Sequence, residues 1–150
     1  MTKNERQEMA PQSMVERFHR LFDISVQENP GPIDERTRVL RERLIQEEFD
    51  ELKQAMAHDD LPAVAKELAD LLYVVYGTAV SYGIDMVPVF REVHRSNMSK
   101  IGGHKREDGK WVKPPTYSPA AIAPILAEQQ QPRERVVESA PVCEEVEPRA

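Results

Sequence analysis

Two short runs of the sequence carry carboxylates at spacings that could work together. In LIQEEFDEL, Leu44 to Leu52, Glu47 and Glu51 are four apart and Glu48 and Glu51 three apart, so on a helix all three share one sector. In ELADLLYVVYG, Glu67 to Gly77, two acids three apart, Glu67 and Asp70, open a segment that is otherwise apolar, aromatic or small. Neither set lies on an obvious solvent side. Leu44, Glu48 and Leu52 form one row, with Leu40, Leu44, Glu47, Glu51 and Ala55 beside it; on the second run Ala63, Glu67, Leu71 and Val74 share a face flanked by Asp70. The 15 residues between Glu51 and Glu67 suffice for a turn, so the two helices can run antiparallel and bring five acids together.

Bare carboxylates do not cluster in a dry site, because burial and like charge both raise their pKa values until they protonate or a cation joins them. A hard divalent ion answers both problems. Mg2+ takes oxygen ligands, keeps several waters and combines carboxylates with substrate phosphates; Mn2+ is the alternative. The single cysteine, Cys143, and four scattered histidines offer no softer site. The bland alternative is a solvated acidic face with i, i+4 pairs to lysine, and for EEFDELK alone it is the better reading. ELAD resists it, since no basic residue follows on its own face. Buried ion pairs to Arg41 or Arg43 are the remaining rival.

These acids need long helices to position them, and the chain supplies the signals. Ser13 and Glu16 have capping-box spacing ahead of a short helix, SMVERFHRLF. After Pro30, Gly31 and Pro32, an uninterrupted amphipathic segment runs from Asp34 to about Ala57. Asp60 caps a third helix with Pro62 in its first turn, and Gly83 is placed to end it near Tyr82. Asp85 caps a fourth, MVPVFREVHRSNMSK, closed by Gly102 and Gly103. Strands are not expected beyond a short pair. The predicted fold is all-α, a bundle of about four helices over residues 13–120. Residues 121–150 form a proline-rich acidic tail, and from Pro114 onward stand seven of the twelve prolines and no glycine. Disorder is expected from about residue 128.

Composition narrows the function classes. With 40% hydrophobic and 31% charged residues and a formal net charge of −6, the chain reads as a soluble domain with no basic field for nucleic acid. Its longest oily run, Leu68 to Val80, is too short for a bilayer and follows closely on Glu67 and contains Asp70. MTKNERQEMAPQ has no signal-peptide core, and one cysteine suits a reducing compartment, so a cytoplasmic location and no membrane partner are expected.

Glu47-Glu48-x-x-Glu51 followed by Glu67-x-x-Asp70, with ELADLLYVVYGTAVSYGID and then VFREVHRSNMSK, resembles the MazG-like all-α nucleoside triphosphate pyrophosphohydrolases, including members similar to phosphoribosyl-ATP pyrophosphohydrolase. The likeness spans residues 13–120 and omits the tail. It implies Mg2+-dependent hydrolysis of a nucleoside triphosphate, a deoxynucleotide by preference, to the monophosphate and pyrophosphate, with a role in clearing unwanted nucleotides. Glu48, Glu51, Glu67 and Asp70 would be the metal ligands, and Glu47 the residue that orients or deprotonates water or else binds a second metal. Phe90, Val93, Asn97 and Lys100 fall on one side of the fourth helix, and the resemblance assigns Asn97 and Lys100 to phosphate contacts rather than to a helix end. The basic loop HKREDGKWVK offers Lys110, or Lys105, as a lid residue. Phe18, His19 and Tyr73 are weaker candidates for base or ribose contacts; His94 reads as structural. Relatives assemble as dimers or dimers of dimers, so a homodimer is expected, with part of the site from the neighbour. The rivals are phosphoribosyl-ATP hydrolysis itself and a non-catalytic helical binding or dimerisation module.

Overall fold

Three of the helices begin where an aspartate side chain can replace the missing intrahelical acceptor. In the computed structural model, which describes residues 10–130, Asp34 accepts from the Thr37 amide at 2.9 Å and starts α2, Glu35–Ala57, after α1, Pro11–Leu21. Asp60 accepts from the Ala63 amide at 3.1 Å and starts α3, Leu61–Ser81. Asp85 accepts from the Val87 amide at 3.0 Å and starts α4, Met86–Met98. These three starts fall where the sequence predicts them. The first does not: α1 begins with Pro11 behind Ala10, which has no capping side chain, so the Ser13 box is not the start. Gln12 in the first turn reaches across instead, donating to the Ile84 carbonyl at 2.7 Å and accepting from the Met86 amide at 2.9 Å.

α2 and α3, joined by three residues, fold back on each other as the largest packing unit, and α1 lies along α3. The chain after α1 returns across the end of α3 through backbone bonds from the Gln27 amide to the Val80 carbonyl and from the Gly31 amide to the Tyr82 carbonyl, both 3.1 Å. Gly83, at φ +69°, ends α3, and a Cβ there would overlap the Asn29 carbonyl, so the turn requires glycine twice over. α4 leaves α3 at an angle of 113° and packs chiefly on α5, Ile122–Gln129. Between them a two-stranded antiparallel hairpin pairs β1, His104–Lys105, with β2, Trp111–Val112.

The all-α architecture stands as the sequence implies, with one helix more. α5 lies inside the segment expected to be tail and runs past residue 128. It has no side-chain cap and carries Pro124, so no local signal announces it; Gln129 holds it by donating to the Asp85 carbonyl at 3.0 Å and accepting from the Asp85 amide at 2.9 Å. The rest of the expected disordered segment, 131–150, lies outside the described residues. The buried apolar set is small: Val15, Leu52, Ala55, Ala79 and Val80. An equal number of polar or charged residues is buried, and broad apolar faces stay open, so the chain alone leaves much of its amphipathic surface uncovered.

Candidate functional site

Glu48 faces out of α2 into the seam with α3, where Glu67 opens the apolar stretch and Asp70 follows one turn on. Their carboxylate oxygens come within 4.8 Å of one another. Glu67 is only 9% exposed, while the Asp70 side chain keeps 40% of its surface. Lys66 answers this charge, its Nζ lying 2.8 Å from Asp70 and 3.1 Å from Glu67. Hydrogen bonds to Asp70 and then Glu67 raise the Lys66 pKa. The sequence reading looks downstream of ELAD for a basic companion; the one that forms stands upstream, at Lys66, beside Glu67 and one turn before Asp70. Glu48 makes no ion pair of its own among the described residues. Burial first, then the charges of Asp70 and Glu51, push its carboxyl above the usual range.

Glu51 is exposed and outside this trio, though close enough to act on Glu48. Glu47 is also exposed, and Arg43 Nε lies 3.6 Å from it in an exposed pair within α2. Neither of the buried ion pairs weighed from sequence forms: Arg43 is exposed, and Arg41 has no carboxylate partner among the described residues.

Asn97 and Lys100 sit together at the end of α4, with Lys100 Nζ donating to Asn97 Oδ1 at 2.6 Å. Phe90 and Val93, expected to continue an inward face, are exposed. The hairpin docks here, since Trp111 Nε1 donates to the Lys100 carbonyl at 2.8 Å. Lys110 closes the hairpin turn, its amide donating to Asp108 Oδ1 at 3.1 Å and its carbonyl accepting from the Arg106 amide at 2.8 Å. Asn97 and Lys100 are thus paired at the end of α4, next to the hairpin that carries Lys110, and α4 packs chiefly on α5 rather than on the α2/α3 pair. Phe18 meets Tyr73 edge-on at 5.6 Å and Phe22 at 4.4 Å on the outer side of α1 and α3. His19 is buried and His94 exposed.

The far end of the seam joins two residues that the sequence weighed separately, Arg41 as a buried ion-pair partner and His19 as a base or ribose contact. Arg41, two turns before Glu48, lies buried against His19 of α1, beside Gly77 of α3. A glycine inside a helix costs about 1 kcal/mol relative to alanine, and that anomaly was the available signal.

The trio offers what a hard cation needs: oxygen donors only, two helices holding them, one carboxyl with a raised pKa, and an ammonium already bridging two of the three. Glu48, Glu67 and Asp70 therefore fit a divalent ion, with Lys66 free to swing toward solvent.

A family model described as PRA-PH, phosphoribosyl-ATP pyrophosphohydrolase, matches residues 15–97, from α1 through Asn97. No curated protein matches the chain. The match covers more than half of the sequence and includes all five acids; Lys100 and Lys110 lie beyond it. The chain belongs to the phosphoribosyl-ATP pyrophosphohydrolase family, within the MazG-like all-α superfamily.

Proposed function

We propose, from that membership, that this protein is a metal-dependent nucleotide pyrophosphohydrolase that cleaves a nucleoside triphosphate, preferentially a deoxynucleotide, to the monophosphate and pyrophosphate. The observation that carries the reading is the convergence of Glu48, Glu67 and Asp70 within 4.8 Å across the α2/α3 seam. Mg2+ is the ion these donors suit, and bound there it would neutralise phosphate charge during attack at the α-phosphorus. Glu48, Glu67 and Asp70 would hold that ion, with the charge of Glu51 close by. Glu47, exposed beside Glu48, orients the attacking water and takes its proton as the new P–O bond forms. The α–β bridging oxygen departs with the pyrophosphate. Asn97, Lys100 and Lys110 are the donors for that leaving group.

Among the described residues α4, which carries Asn97 and leads into Lys100, packs chiefly on α5 rather than on α2 and α3, and this supports a homodimer in which a second copy brings its own Asn97 and Lys100 to the acids. Leu68, Leu72, Tyr73 and Phe22, at 48%, 55%, 39% and 65% exposure, form the apolar face such a dimer would cover. We place the enzyme in the cytoplasm; among the described residues no single helix is long and apolar enough to cross a membrane. The second reading is phosphoribosyl-ATP as substrate, favoured by the description of the matching family.

The test is pyrophosphate release from a panel of dNTPs, NTPs and phosphoribosyl-ATP, with Mg2+ or EDTA, for wild type and Glu48→Gln. Metal-dependent release that the variant loses supports the reading and identifies the substrate. No release from any of them, by a folded protein, sinks it in favour of a binding module.

A further inference from the structure

Arg41 is the most anomalous charge in the structure. It is 6% exposed, and none of the described carboxylates pairs with it. Its Nη2 lies 3.4 Å from His19 Nε2, a long contact, and its Nε is buried with no hydrogen-bond partner. His19 does not supply the missing negative charge. Its Nδ1 lies 3.0 Å from the Ser25 carbonyl, so the ring donates there and turns the lone pair of Nε2 toward the guanidinium. Burial, with help from Arg41, holds the His19 pKa below its ordinary value, and burial is what acts on Arg41 itself.

The seat is built for this side chain. A Cβ on Gly77 would stand 3.0 Å from both Arg41 Nη1 and His19 Nε2, so α3 gives up a side chain where the guanidinium lies. A buried cation without a counter-charge is expensive, and among the described residues no carboxylate supplies one to Arg41. The donor left without a partner is Nε, and a guanidinium N–H of this kind suits a phosphate oxygen.

We propose that Arg41, seated on Gly77 and flanked by neutral His19, is an anion-binding residue that takes a phosphate-class oxyanion, separate from the metal-binding trio. Arg41 lies two turns along α2 from Glu48, about 10 Å by helical rise. The assignment of that anion to the substrate or product rests on the pyrophosphohydrolase reading; the anion site itself does not.

The experiment titrates inorganic pyrophosphate, in EDTA so that no metal contributes, while following Tm for wild type, Arg41→Lys and Arg41→Met, with sodium acetate at matched ionic strength as the control. Initial rates on the preferred nucleotide are measured beside it. Pyrophosphate should raise the wild-type Tm by about 4–6 °C at ten times its dissociation constant. Arg41→Met should lose that shift while being at least as stable as wild type without ligand, and Arg41→Lys should keep part of it. In turnover Arg41→Met should raise KM by about tenfold or more with kcat little changed. An equal shift in wild type and Arg41→Met, an equal shift with acetate, or no shift in wild type overturns the proposal, and Arg41→Lys decides the matter if Arg41→Met does not fold. A shift that depends on Arg41 in a protein that turns over no nucleotide upholds the anion site and removes the pyrophosphohydrolase reading instead.

Discussion

The α2/α3 seam carries charge at both ends and treats it in opposite ways. At the end formed by Glu48, Glu67 and Asp70, like charges crowd within 4.8 Å, but Asp70 keeps 40% of its side-chain surface and Lys66 bridges two of the three. At the other end a single cation is almost fully buried and meets a neutral imidazole. The acid end is repulsive yet solvated and partly compensated, so it holds together without a ligand and accepts a cation readily. Among the described residues the cationic end has almost no solvent and no counter-charge. A site can therefore be marked by crowding, which sequence spacing reveals, or by a missing partner, which only the assembled helices reveal.

Removing the shared chemistry should have the largest effect. Glu67→Gln, at the most buried of the three acids, should lower pyrophosphate release by more than about a hundredfold while the fold survives, measured by initial rates beside circular dichroism. A variant that keeps near-normal turnover would remove Glu67 from the site. The packing beneath both ends comes next: Leu52→Ala, one turn beyond Glu48 and buried, should cost about 2–4 kcal/mol in urea unfolding. Gly77→Ala sharpens the contrast, because alanine favours a helix by about 1 kcal/mol, yet its methyl would stand 3.0 Å from Arg41 and His19. A net loss of roughly 1–2 kcal/mol is expected, and a net gain would mean that the guanidinium is loosely seated.

The two ends should also differ in their response to acid. The His19 pKa is depressed in the fold, so the unfolded chain binds its proton first. Its contribution to stability is complete above about pH 6.5 and is lost as pH falls through the lower folded value. The wild-type Tm should therefore fall on acidification below pH 6.5, and His19→Gln should flatten that slope. Glu48 behaves with the opposite sign: its pKa is raised, so its ionised form opposes folding at neutral pH. The smallest effect follows from this, a gain of roughly 0.5 kcal/mol in unfolding free energy for Glu48→Gln without metal at pH 7. Removing added Mg2+ should leave that gain in place.

The sequence by itself determined three helix starts, at Asp34, Asp60 and Asp85, because a capping oxygen and the amides it serves are neighbours in the chain. It determined the end of α3 at Gly83 for the same local reason, and it brought Glu48, Glu67 and Asp70 onto facing stripes, because helical periodicity is a property of spacing. Tertiary structure decided the rest. Glu51 falls outside the trio although its spacing includes it, since the angle at which α2 meets α3 selects which acids converge. Asn97 and Lys100 go with α4, because the chain bends by 113° after α3, where Gly83 packs against Asn29, and helix spacing does not encode that angle. α5 exists through the grip of Gln129 on Asp85, a contact between residues far apart in sequence. The sequence weighs Arg41 only as an ion-pair partner of the acids, a role it does not take among the described residues. Only the closing of α1 over α2 and α3 buries it, because burial is a property of three helices at once.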